Sequence, residues 1–148
     1  MRKKVFSAVL GFCLLTAVAA ATAFAQDPPD LFLRATIPFD FNVRGKTFPA
    51  GDYEINRLTD DTPGLLIISN VKYHERAAFA TENVEARAIP NNGELVFHRY
   101  GDSYFLYEVF ARGEETGREL RPTRQERTLR REMASNKTEP ETVALAVY

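Results

Sequence analysis

"LVFHRYGDSYFLYEVF", Leu95 to Phe110, holds two β-prone runs split by Gly101-Asp102. Glycine followed by aspartate suits a two-residue type II′ turn, whose twist matches that of paired antiparallel strands. The resulting register sets His98 opposite Phe105, Arg99 opposite Tyr104 and Tyr100 opposite Ser103. His98 and Ser103 then share a face only as diagonal neighbours, roughly 7–8 Å apart. Asp102 sits at the turn tip, away from the imidazole. A catalytic triad needs nucleophile, base and orienting acid each within hydrogen-bond reach of the next. The stretch reads as a structural hairpin, and no catalytic residue is assigned.

Upstream, "LFLRATIPFDFNV" (31–43) alternates with period two. Leu31, Leu33, Ala35, Ile37, Phe39, Phe41 and Val43 point one way, as a half-buried strand requires. Pro38 falls on the polar side and cannot donate to a ladder, which predicts an edge strand or a bulge there. Tyr53–Leu58 reads as a second strand, after turn signals at "RGK" and "PAGD". Leu65–Ile68, apolar on both faces, reads as a central strand. Ala77–Thr81 and Val84–Ile89 follow as further strands.

Downstream, Ala111–Gly117 is a charged, glycine-punctuated loop. A helix is predicted over 122–135, with Pro122 in its first turn and Glu126 and Arg130 at a favourable spacing. Only Leu129 and Met133 mark an apolar stripe, so this helix should pack lightly. Residues 143–148 form a final strand that ties the C-terminus to the sheet.

The N-terminus has a different character. Arg2, Lys3 and Lys4 precede an uncharged apolar stretch, Val5–Ala21, which ends in Ala23-Phe24-Ala25. This pattern is a secretory signal peptide over 1–25, cleaved before Gln26, so no stable membrane anchor remains. Residues 26–30 are a polar lead-in, and 31–148 form a single domain. Of 148 residues, removal of 25 leaves 123, enough for one compact core. The leader takes three of the 19 cations and none of the 20 acids, which leaves a net charge of −4. That balance argues against nucleic acid as a partner. The single cysteine, Cys13, leaves with the leader, so the mature chain has no disulfide and no thiolate chemistry. Export to the periplasm or the medium is the expected destination.

Few constellations suggest chemistry. Arg118, Arg121 and Arg124 begin an arginine-rich run that could hold an anion, although spacing by three drifts around a helix and favours a solvated face. His74 and His98 lack ligand-spaced partners, and no metal or cofactor is expected. Asp60-Asp61 and Glu114-Glu115 lie in turn clusters, as exposed loop acids do. The aromatics are more suggestive. His98, Arg99, Tyr100, Tyr104, Phe105 and Tyr107 form the candidate ligand surface, suited to an envelope glycan or a small apolar ligand. The alternative is that these rings simply fill a tryptophan-free core.

"IPFDFNV" (37–43), "FPAGDYEI" (48–55), "LVFHRYGDSYFLYEV" (95–109) and "TGRELRPTRQER" (116–127) give the chain a wider likeness. Through them it resembles a family of small, exported, uncharacterised bacterial proteins of the acidobacterial kind. The resemblance implies export and a single domain, supplies no catalytic residues, and hints at a structural job for Gly117-Arg118-Glu119-Leu120.

The predicted fold is mainly β, an antiparallel sandwich or a small partly open barrel of seven or eight strands, with one C-terminal helix. The expected function is an exported, non-enzymatic binding or envelope-associated module. Two alternatives stand beside it. One is a small secreted hydrolase using His98 and a carboxylate from elsewhere in the fold. The other is a small outer-membrane barrel, disfavoured because membrane strands need about 9–11 residues each.

Overall fold

The computed structural model describes residues 31–59 and 61–147, so the predicted leader and lead-in lie outside the described residues. The chain runs β1 (Leu31–Ile37), β2 (Phe41–Val43), β3 (Lys46–Phe48), β4 (Gly51–Arg57), β5 (Leu65–Asn70), β6 (Arg76–Ala80) and β7 (Glu82–Glu85). It continues through β8 (Gly93–Tyr100), β9 (Ser103–Phe110), β10 (Thr116–Glu119), α1 (Arg124–Ser135) and β11 (Glu141–Val147).

Two sheets face each other. One has the order β1-β4-β5-β6; the other runs β11-β8-β9-β10-β7, with β2 joined to β9 and carrying β3. The fold is therefore a sandwich, and its sheets do not close into a barrel. An outer-membrane barrel needs a closed ladder with no free edge, whereas both sheets of the described residues end in open edges.

The alternation read over 31–43 holds from Leu33 to Val43, where the odd-numbered side chains turn inward and the even-numbered ones outward. The strand itself does not persist. It stops at Pro38, and the chain crosses from the edge of one sheet to the other. Proline cannot donate to a ladder, so the break falls where the donor is missing, and β1 and β2 share one inward parity across the corner.

Between the sheets, Phe41 sits among rings: Tyr53 at 5.0 Å and Phe97 at 5.6 Å edge-on, and Phe48 stacked at 5.6 Å. Edge-to-face and offset pairs of this kind stabilise beyond their buried area. Leu66 and Ile68 of the central strand β5 complete the same core.

Among the described residues there are eleven strands, against the expected seven or eight. The extra ones are β2, β3 and β10, of three or four residues each. So short a piece spans too few periods to signal itself by alternation. The stretch read as a loop up to Gly117 contains the start of β10, and the strand expected over Val84–Ile89 lies instead at Glu82–Glu85. Pro122 stands outside the helix, whose N-cap is Thr123.

Gly117 explains its own motif. A Cβ there would stand 2.2 Å from the Phe110 ring, so only glycine lets β10 pass over that ring. At the hairpin tip Gly101 has φ +62°, as the first position of a type II′ turn demands. The three cross-strand pairs predicted for His98, Arg99 and Tyr100 are those observed.

Candidate functional site

The face of the seven-stranded sheet turned away from the core carries a cleft of about 660 Å³. Its floor comes from β8, β9, β10 and β11, and its rim from Val84 to Ala88 and Pro90. That volume lies within the usual span of small-molecule sites.

One irregularity shapes the floor. Val96 pairs with Glu108 while Phe97 pairs with Leu106, so Tyr107 is an extra residue in β9. A bulge lets two successive side chains share a face that strict alternation would deny one of them. Tyr107 and Glu108 both line the cleft as a result, while Leu106 and Val109 on either side stay in the core. Simple alternation sets Glu108 on the opposite face from Tyr107. The bulge has no sequence signature here, and Glu108 was missed for that reason.

His98 lies on the same floor, its ring stacked on Tyr107 at 3.8 Å. Glu119 of β10 stands directly across from Glu108, and Glu85 and Glu94 add two more carboxyl groups to the lining. Arg87 brings the opposite charge. Burial pushes the Glu108 carboxyl above its ordinary value, and the facing Glu119 pushes it further. The Tyr107 hydroxyl is raised too, by burial first and then by Glu119 and Glu108.

At the hairpin end, α1 lies over this face. Its one buried residue is Glu126, 4% exposed. The His98 Nδ1 lies 3.3 Å from Glu126 Oε1, and the Tyr100 hydroxyl donates to that same oxygen at 3.3 Å. A carboxyl this deep is tolerable only with such partners. An acceptor facing Nδ1 favours the tautomer with its hydrogen there, leaving Nε2 free to accept. Burial, with the Glu126 charge and hydrogen bond next, pushes the Tyr100 hydroxyl up to about 12.

Glu126 also donates its backbone N–H to Thr123 Oγ1 at 3.2 Å, the start of a capping box. The sequence TRQE is the signature of that box, yet the glutamate side chain turns to the sheet instead. A signal was present: 126, 129 and 133 share one helical face, so Glu126 belongs to the stripe of Leu129 and Met133.

The candidate ligand surface is split in two. His98 and Tyr107 line the cleft, and Tyr100 and Phe105 lie buried on the same face, ring to ring at 5.6 Å. Arg99 and Tyr104 face the other way. Tyr104 stacks on Phe39 at 3.9 Å, with the Arg99 guanidinium 5.5 Å from its ring. The arginines do not converge either. Arg118 donates to Asn83 and Arg121 to Glu82, both on β7, while Arg124 opens the helix. Among the described residues, no three His, Cys, Asp or Glu side chains are grouped to hold a metal ion.

Compared with protein-family models, curated proteins and solved structures, the chain gives no match.

Proposed function

We propose that this protein is an exported, non-enzymatic binding module that takes an envelope glycan in the cleft on the outer sheet face. The observation that carries this reading is the bulge at Tyr107, which brings a ring and the Glu108 carboxyl onto one floor opposite Glu119. Aromatic faces accept the apolar side of a sugar, and carboxylates accept bonds from its hydroxyls. An apolar ligand suits the cleft less well, because it would strip water from several carboxyl groups and return no hydrogen bonds. Export rests on the leader-like residues 1–25. Calorimetric titration with soluble oligosaccharides of the bacterial envelope tests the reading: saturable heat that Tyr107→Ala abolishes supports it, and no heat across the panel rejects it.

A second reading is favoured by one specific contact. With Glu126 holding Nδ1, His98 has the base-and-orienter half of a hydrolytic site. In that reading His98 activates a water against a ligand bound in the cleft. Alanine at His98 separates the two: turnover lost from a folded protein supports hydrolysis, and ligand binding without any turnover supports the binding module.

A further inference from the structure

The sheet edges are unequally protected. An open edge offers unpaired N–H and C=O groups to any passing strand, and proteins blunt such edges with short length, charge, proline or bulges. Strand β7 has four residues, two of them glutamates, and β3 has three and carries Lys46. Strand β6 begins with Arg76, and β1 has a bulge between Leu31 and Leu33 and carries Arg34. Strand β11 has neither proline nor bulge. It is seven residues long, ETVALAV, and its only charge, Glu141, is already paired with Arg99 at 3.1 Å. It pairs with β8 on one side, and no other described strand pairs with it.

We infer that β11 is a docking edge for a second copy of this chain, joined as an antiparallel β11–β11 pair about a two-fold axis at Ala144. The edge is complementary to itself. Centring the axis on Ala144 pairs all seven residues of the strand, and any other centre shortens the ladder. In that register Val143 meets Leu145, Thr142 meets Ala146, and Glu141 meets Val147, so no like charges oppose each other. Thr142, Ala144 and Ala146 are exposed and small, and β1 lies beside β11 without pairing with it. Val143 and Leu145 pack against the core, and their counterparts would extend it across the axis. An isologous contact of this kind closes on itself as a dimer rather than growing into a fibre. It would run the two seven-stranded sheets together and set the two clefts side by side, because Thr142 and Ala144 line the edge of each. The inference stands apart from the identity of the ligand.

Sedimentation of the purified protein tests it. The wild type should sediment as a dimer. Ala144→Lys and Ala144→Glu each place like charges face to face at the axis and should give monomers with unchanged circular dichroism, while an equal mixture should recover the dimer. Should one variant fail to fold, the other carries the test. Hydrogen exchange should show the outward amides of residues 142–146 protected in the wild type and released in the variants. A wild-type monomer at high micromolar concentration overturns the inference, whether or not the edge captures some other extended peptide. A dimer that survives Ala144→Lys also overturns it, since another surface must then hold the copies together.

Discussion

His98 and Glu126, 28 residues apart in sequence, meet with Nδ1 3.3 Å from Oε1. Through this contact the helix is fastened to the floor of the cleft, and the carboxyl that orients the imidazole comes from α1 rather than from the turn at Asp102. Tyr100 reaches the same oxygen, so two side chains of β8 share one buried acceptor on α1.

Removing that acceptor should loosen the helix. Glu126→Ala leaves the Tyr100 hydroxyl buried without its partner, and stability should fall by about 1–3 kcal/mol, read as a lower urea midpoint. Glu126→Gln keeps an acceptor oxygen and should cost less. Equal losses in both variants would show that charge, not the shared hydrogen bonds, holds the helix down.

Alkaline pH probes the same cluster. Tyr100 titrates near 10 when unfolded and at about 12 when folded, so the folded state holds this proton longer. Its contribution is fully present below pH 10 and is lost as pH rises toward 12. Urea midpoints between pH 9 and 12 should fall less steeply for Tyr100→Phe than for wild type. Parallel curves would contradict the raised value.

At the far end of the cleft, Gly117 and Phe110 are packed without slack. Gly117→Ala drives a methyl group into the Phe110 ring, an overpacking that should cost about 1–3 kcal/mol. In the double variant with Phe110→Leu the two losses should sum to less than their separate values. Strict additivity would place the strain elsewhere.

The sequence made some of this legible and hid the rest for physical reasons. Leu33 to Val43 announced their inward face because eleven residues of strict alternation have no other explanation. The hairpin register followed from Gly101-Asp102, since the turn type sets which residues pair. The central position of β5 followed from its two apolar faces. Glu126 was hidden because its neighbours are charged and its side chain leaves the helix for a partner that only the tertiary fold supplies. Glu108 was hidden because an unpaired residue in β9 resets the parity of the strand. Both missed groups are acids, Glu108 in the cleft and Glu126 beneath the helix, where local pattern and final position disagree.

That disagreement has a measurable consequence. Glu108 faces Glu119 across the ladder, and like charges so placed are unfavourable. Since the Glu108 carboxyl is raised in the folded state, its contribution is favourable at low pH and is lost as pH rises through the folded value. Glu108→Gln should therefore stabilise the protein at neutral pH by about 0.2–1 kcal/mol, with the gain vanishing in acid. A loss of stability at neutral pH would mean that the carboxylate is held by attractive partners instead.

The most direct measurement is a map of amide shifts as envelope oligosaccharide is titrated into the labelled protein. Saturable shifts should gather at His98, Tyr107, Glu108 and Glu119, spare Arg99 and Tyr104 on the opposite face, and disappear in Tyr107→Ala. Shifts confined to another surface, or none that saturate, would contradict a binding cleft on the outer face of the seven-stranded sheet.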